Sequence, residues 1–342
     1  MRIRKSLIFF ILTAGLVFTL PARAQQKPLT QEQVQASKVG GLLSPAELQL
    51  YQHAQTVMEW TPHQIHDCPF IHKLRPASSQ KQLPMILERA GQTGTLLLND
   101  FPKIYCLEAV HTEAEIPQVL TDDQFIGNVA QINQLNAMRQ PLNEFPPQER
   151  TFRYIVIPQI KGGLPGFKEY RTDLNGSPVG KRNLNRISMI TSDFASTGLY
   201  MSAAHQSESD FRHFGMEVIR KRECHVVGFA QVPERVHTVG LTTVHGKDAA
   251  LLVQGLAWID AETFQILRVT TWLLAPRVDI GLKSAISTVD FFPVQPSGTE
   301  RTLWLPADAT VVGTFQGVTF HNKHHYSDFK LFGVGSTIKP GP

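Results

Sequence analysis

The hydrophobic pattern of the chain changes period near residue 150, and this change constrains the fold more than any other feature. Between about residues 44 and 149, apolar side chains recur every three or four residues, as at Leu48, Tyr51 and Ala54. From residue 150 onward, alternation dominates and β-branched and aromatic residues are frequent. The sequence therefore predicts a mainly helical region over 44–149 and an antiparallel β-sheet domain over 150–338.

The predicted strands are joined by short turns. Turn-forming residues at 260–262, 296–298 and 305–308 leave no room for crossover helices, so consecutive strands should pair antiparallel. The segment 264–274 is apolar at both odd and even positions, which indicates a sheet covered on both faces. The helical region is the natural cover. The predicted class is α+β, with a helical N-terminal region packed on a large antiparallel β-sheet.

Three helix starts are readable in the first region. Ser44 with Glu47, and Thr61 with Gln64, have the spacing of capping boxes, each with proline at the first helical position. A third helix is predicted to begin near Leu83, because proline at the next position fits only a first turn.

Residues 1–24 have the features of a secretory signal peptide. A basic start and an apolar run over 6–20 precede small residues at Ala22 and Ala24, so cleavage is expected after Ala24. Residues 25–43 should form a flexible segment. The expected location is periplasmic or secreted, and no later run of 18 apolar residues predicts a transmembrane span.

The charge balance gives no support to a nucleic-acid partner. The chain has 33 basic and 29 acidic residues, and four of the basic residues lie in 1–24. The remaining chain is therefore balanced, whereas binding to phosphates requires a basic surface.

The three cysteines are Cys68, Cys106 and Cys224. The odd count leaves at least one thiol outside any intramolecular bridge. Cys106 and Cys224 lie near the starts of predicted strands, so we hypothesise that they pair if those strands are neighbours, with Cys68 left over.

Catalytic motifs are absent from the sequence. We find no nucleophile elbow, no H-E-x-x-H and no P-loop, and we expect a non-enzymatic protein without a cofactor. Two histidine groups remain. His63, His66, Cys68 and His72 include an i, i+3 histidine pair that could hold a metal, although Pro69 interrupts the helix. If 321–325 is a strand, His321 and His325 lie about 13 Å apart on one face and His324 on the other, and this separation is too wide for one ion. A turn at 322–323 would remove this objection.

Large aromatic residues are concentrated on the late strands. They either fill an ordinary core or line a cavity between the sheet and its helical cover. The candidate cavity-lining residues are Trp258, Trp272, Phe291, Trp304, Phe315 and Phe320.

Several segments together resemble a group of exported acidobacterial proteins of unknown function, over about residues 70–335. The segments that carry this resemblance are 83–87, 101–108, 226–233, 252–260, 265–268, 272–276, 303–306 and 322–332.

The segment Gly255–Arg268, G-x-A-W-I-D-x-x-T-F-x-I-x-R, also resembles the closing strands of the LolA/RseB-like superfamily. This resemblance implies a half-open, strongly curved antiparallel sheet with helices plugging its concave side, in proteins that carry or sense lipid-modified proteins. The predicted function is binding of an apolar ligand, a lipid or the acyl chains of a lipoprotein, between the curved sheet and the helices. The alternatives are an envelope sensor or protein-binding module without lipid, and a metal-handling protein. Enlarging Ala257 or Ala285 on the late strands would test for a cavity.

Overall fold

The computed structural model describes residues 42–115, 147–179, 194–244 and 247–332. The predicted signal peptide, residues 1–24, lies outside the described residues. So does the predicted flexible segment 25–43, except for its last two residues.

The described helices begin where the capping patterns predict. Ser44 and Thr61 each accept a hydrogen bond from the third helical N–H, and the side chains of Glu47 and Gln64 accept one from the backbone N–H of Ser44 and Thr61.

No helix in the described part of the chain is both long and apolar enough to cross a membrane. The α-helices are α1 (Pro45–Gln52), α2 (Pro62–His66), α3 (Leu83–Asp100) and α4 (Phe194–Thr197). The 3-10 helices are Val57–Glu59, Phe101–Lys103, Gly198–Met201, Gln206–Glu208 and Val278–Ile280.

Helix α3 continues through Gly91 and Gly94 to Asp100. A β-carbon on Gly94 would lie 2.9 Å from the β-carbon of Ser202. Glycine therefore lets the segment that follows α4 approach the helix closely. This tertiary contact accounts for residues that are unfavourable for an isolated helix.

Eleven of the described strands form one open sheet in the order β1-β5-β6-β9-β10-β11-β12-β13-β2-β3-β4, with every neighbouring pair antiparallel. Strands β9 to β13 follow one another in space as in sequence, so the predicted meander is confirmed. Strands β7 and β8 form a separate hairpin. The strands are β1 (Arg75–Pro76), β2 (Ile104–Glu115), β3 (Gln148–Lys161), β4 (Leu164–Thr172), β5 (Ser209–Ile219), β6 (Arg222–Gln231), β7 (Gly240–Val244), β8 (Lys247–Leu251), β9 (Val253–Asp260), β10 (Ile266–Leu273), β11 (Leu282–Val294), β12 (Leu303–Phe315) and β13 (Val318–Leu331).

Strand β2 corrects the prediction of a mainly helical region over 44–149. It pairs with β13 on one side and β3 on the other, so it is an interior strand of the sheet. The physical reason is its own alternation: Ile104, Cys106 and Val110 are buried, whereas Leu107 and Ala109 between them are more exposed. The sheet therefore begins before residue 150.

The sheet is strongly curved. Strands β4 and β6 are separated by seven strands, which would place them about 38 Å apart in a flat sheet. Phe167 of β4 and Gln231 of β6 nevertheless line the same cavity. Strands β1 and β4 occupy the two ends of the strand order, so the sheet curls without closing.

The concave face, here called the inner face, is filled by helix α3 and the segment 194–201. Ile86 and Ala90 of α3 and Leu199 are buried in one cluster with inward-facing residues such as Val227 of β6 and Ala257 of β9. Helices thus plug the concave side of the sheet, in agreement with the predicted architecture.

The opposite face of β6, β9 and β10, here called the outer face, is covered by residues 42–74. Tyr51 and Ile71 from this segment form a core with Val226, Leu256 and Leu267. Positions 226 and 227 point to opposite faces, and both are fully buried. The prediction of strands covered on both faces is therefore confirmed.

The hypothesis that Cys106 pairs with Cys224 is wrong. The two cysteines lie on strands separated by five others, Cys106 facing the inner core and Cys224 the outer core. All three cysteines are buried and free. Burial raises the pKa of Cys224 to about 12 and also raises the pKa values of Cys68 and Cys106.

We therefore expect three free thiols, all slow to react in the folded protein. Burial in an apolar core disfavours the reactive thiolate form and also keeps the reagent from reaching the sulfur atoms. Thiol titration with a chromogenic disulfide at pH 8 measures this. The expected count is three in denaturant and below one within minutes under native conditions. A count of one in denaturant without reductant would reveal a disulfide and contradict the structure.

Candidate functional site

A cavity of about 230 Å³ lies on the inner face, between the curved sheet and the segment that plugs it. It is larger than the roughly 150 Å³ of an engineered cavity that binds benzene, and below the range of about 300–1,000 Å³ for drug-sized ligands. It is partly open to solvent. Its apolar walls are formed by Leu164, Phe167, Phe194, Leu199, Val253, Leu273 and Val311.

One part of the wall has small side chains. Ala285 and Ser287 of β11 face the cavity, together with Gly166 of β4. Thr271 on β10, which pairs in register with Ser287, also lines it. Space remains here because facing positions of the curved sheet carry short side chains that do not reach across.

The turn between β3 and β4 closes the cavity against the segment that joins β6 to β7. Lys161 donates from Nζ to the carbonyl oxygen of Val239 at 2.8 Å, and both residues line the cavity. A β-carbon on Gly162 would lie 1.7 Å from the carbonyl oxygen of His237, and its φ is +57°. Only glycine permits this close crossing of the two segments.

A buried ion pair also stabilises the contact between the β3–β4 hairpin and the segment that joins β6 to β7. His205 approaches Glu208 through Nδ1 at 2.8 Å and the carbonyl oxygen of Pro165 through Nε2 at 2.7 Å. Glu208 also accepts hydrogen bonds from the backbone N–H groups of His237 and Thr238. The pair therefore connects Pro165 at the start of β4 with the backbone of His237 and Thr238, between β6 and β7.

The protonated form of His205 fits this arrangement. Burial lowers the pKa of His205, but the contacts with Glu208 and Pro165 more than offset burial, and its pKa is raised above its usual value. Burial raises the pKa of Glu208, but its hydrogen bonds outweigh this and its pKa is lowered. Both ring nitrogens of His205 are engaged as donors, so its role is structural.

The structure places none of the six predicted aromatic residues in this cavity. Trp258 and Trp272 lie on the outer face, where Trp272 stacks on Trp60 and Phe70 with ring centroids 5.8 Å apart in both cases. Trp258 donates its indole N–H to Glu217 at 2.7 Å.

The other four candidates belong to packed clusters. Phe291 is buried in the inner core, and Trp304 packs partly buried against both cores. Phe315 and Phe320 pack with Leu273 in a smaller cluster. These aromatic side chains pack in clusters, as the alternative interpretation of an ordinary core predicts, and none of the six lines the cavity described above.

The predicted metal-ligating residues are not brought together. His63 and His66 are exposed and share Asp67, at 2.7 and 3.2 Å. Cys68 turns into the outer core, and His72 is exposed. Within the described ranges, no group of three or more His, Cys, Asp or Glu side chains is arranged to hold a metal ion.

The second histidine group lies on β13, as predicted for strand positions. Each ring pairs with a different carboxylate: His321 with Glu115 at 3.3 Å, His324 with Glu108 at 2.9 Å, and His325 with Asp308 at 2.7 Å. His324 is buried and His325 exposed. The three histidines do not converge on one site.

A buried polar cluster surrounds Glu108, and no sequence motif predicted it. This carboxylate is fully buried and accepts two hydrogen bonds from Arg171 at 2.5 and 2.8 Å, one from His324 and one from Tyr326 at 3.0 Å. Burial raises the pKa of Glu108, but Arg171 outweighs burial and lowers it to about 2. The available signal was a glutamate at an inward position of an alternating segment, between Cys106 and Val110.

No family model and no curated protein matches the chain. Solved structures are similar over most of it. A DUF1329 family protein from Desulfovibrio piger is 12% identical, with a TM-score of 0.36 over 74% of this chain and 93% of that chain. A putative outer membrane lipoprotein-sorting protein domain from Vibrio parahaemolyticus is 12% identical, with a TM-score of 0.35 over 72% and 92%.

A LolA superfamily protein from Nitrosomonas europaea is 13% identical, with a TM-score of 0.31 over 75% of this chain and 97% of that chain. The superfamily that Gly255–Arg268 resembles is thus represented among the similar solved structures. At these identities and TM-scores the likeness carries no argument about function, which has to come from the site itself.

Proposed function

We propose that this chain is an exported, non-enzymatic protein that binds an apolar ligand in the inner-face cavity. The observation that carries the proposal is a cavity of about 230 Å³ with largely apolar walls, between a curved sheet and its helical plug. The lining residues that the structure describes include no carboxylate, and their histidine, His205, has both ring nitrogens engaged. These features favour binding over acid–base chemistry. Export would be directed by residues 1–24.

The mechanism is sequestration of an acyl chain from water. Each methylene buried in an apolar environment contributes about 0.8 kcal/mol. The acyl chain would enter past the β3–β4 turn. This turn is held in place by the hydrogen bond from Lys161 to Val239 and by the ion pair of His205 with Glu208. A lipid or a lipoprotein acyl chain is the class of ligand that such a site takes up and releases.

Two substitutions separate a binding cavity from a packed core. Ala285 lines the cavity, whereas Ala257 is fully buried in the inner core. We expect Ala285→Leu to weaken binding of a fluorescent fatty-acid analogue by about tenfold or more while the melting temperature changes little, because the added carbons occupy ligand space. Ala257→Phe should destabilise the fold by about 1–3 kcal/mol through overpacking.

Fluorescence titration and thermal unfolding of the same samples measure both effects. Unchanged affinity in Ala285→Leu, with wild-type binding intact, would place the ligand elsewhere. No binding by the wild-type protein would remove the proposal.

A surface of the β3–β4 hairpin favours a second candidate function, binding of an envelope protein. Ile157 and Tyr170 are exposed on the same face of these two strands, at one end of the sheet. Exposed apolar groups on a hairpin are a common feature of protein contacts. A wild-type protein that binds no analogue would favour this candidate.

A further inference from the structure

The cavity contains one charge that no described residue of its wall balances. Lys161 lines the cavity and is partly buried, and it forms no ion pair with any residue in the described ranges. Its ammonium has three N–H donors, of which one is directed to the carbonyl oxygen of Val239. Among the described residues that line the cavity there is no aspartate or glutamate. A partly buried cation at an apolar cavity favours an anionic partner.

The charged end of the cavity lies near solvent. Lys161 directly precedes Gly162 and Gly163, which are exposed, so this end lies near solvent. Phe167, Phe194 and Leu199 on the other walls are almost completely buried. A ligand with a charged head and an apolar tail matches this arrangement, with its head at Lys161.

The size of the cavity limits the tail. An engineered cavity of roughly 150 Å³ binds the six carbons of benzene, so by the same ratio a cavity of about 230 Å³ accommodates about nine carbons. This volume suits one chain of medium length or the end of a longer one. Two full-length chains of a diacyl lipid do not fit in it.

We propose that the ligand is a single-chain amphiphile with an anionic head group, which pairs with Lys161 while the acyl chain lies in the cavity. This inference rests on the proposed function and narrows its ligand class. The charge-assisted hydrogen bond to Lys161 is the specificity-determining contact. The apolar walls supply affinity without discriminating between head groups.

Isothermal titration calorimetry with three eight-carbon probes tests this: octanoate, octyl phosphate and 1-octanol, all below their aggregation limits. The wild-type protein should bind at least one anion about tenfold more tightly than the alcohol. The tighter of the two anions distinguishes a carboxylate head from a phosphate head. Lys161→Met should lose this preference while retaining the affinity for 1-octanol, and Lys161→Arg should restore most of it.

Lys168→Met is the matched control, because Lys168 lies on β4 against the ring of Tyr170 and not among the lining residues. It should leave all three affinities unchanged. Equal binding of the anions and the alcohol by the wild-type protein would overturn the inference and leave the proposed function intact. Absence of binding for all three probes, and for the fluorescent analogue, would overturn both.

Discussion

Replacement of Arg171 by methionine is expected to destabilise the fold by about 3–5 kcal/mol. Arg171 forms a two-pronged contact with Glu108 and lies 3.6 Å from Glu169, all three side chains being largely or fully buried. Without the guanidinium, Glu108 would remain as a buried carboxylate with only His324 and Tyr326 as partners. Methionine keeps much of the side-chain volume, so the loss reports on charge compensation rather than on a cavity.

Urea denaturation at pH 7 measures the change. Arg75→Met is the matched control, because Arg75 forms an exposed pair with Glu223 at 2.5 Å that should contribute less than about 1 kcal/mol. The double variant Arg171→Met with Glu108→Gln should recover part of the loss, since the stranded charge is removed. Equal, small losses for Arg171→Met and Arg75→Met would contradict the assigned role of Arg171.

The sequence predicts this fold well where local chemistry decides the structure. The capping boxes at Ser44 and Thr61 place two helix starts, and short turns between alternating segments place the meander β9 to β13. The position of β2 in the sheet cannot be predicted from local sequence, because β2 pairs with β13, about two hundred residues away in the chain. Its alternation indicates a strand, but nothing local specifies which strands lie beside it.

The cavity was not predictable from side-chain size. Large aromatic residues can make apolar walls, yet large side chains also fill space and close cavities. The cavity lies where Gly166, Ala285 and Ser287 leave room, and its remaining walls come from segments without a clear period, such as 194–205. Only the curvature of the sheet brings these parts together.

A buried histidine pair is expected to make the free energy of unfolding depend strongly on pH. His213 and His225 approach each other through Nε2 and Nδ1 at 3.3 Å, and His213 donates from Nε2 to the carbonyl oxygen of Gly215 at 3.0 Å. His225 also stacks on the ring of Phe264. Burial, with a smaller contribution from His213, lowers the pKa of His225 to about 4, although Asp260 opposes this. Burial also lowers the pKa of His213.

These pKa values predict destabilisation in mild acid. Unfolded histidine titrates near pH 6.5, so between pH 6.5 and 4 the unfolded state binds more protons than the folded state, and the free energy of unfolding falls as pH falls. For His225, a pKa difference of about 2.5 is equivalent to about 3 kcal/mol lost by pH 4. Asp260 and Glu108 have pKa values of about 2 in the folded protein, so their contributions to the free energy of unfolding are lost mainly below about pH 4.

Urea denaturation at half-unit steps from pH 7 to 4 measures the slope. His225→Phe should reduce this slope because phenylalanine does not titrate and can pack against Phe264, whereas His213 and His324, whose pKa values burial also lowers, keep their contributions. The exposed His63→Phe serves as control and should retain the wild-type slope, since the side chain of His63 is 85% exposed. A His225→Phe variant with the wild-type dependence on pH would assign the acid sensitivity to another group. With the expected result, the stability of the fold in mild acid depends on keeping His213 and His225 neutral, whereas the contacts of His205 with Glu208 and Pro165 favour its protonated form.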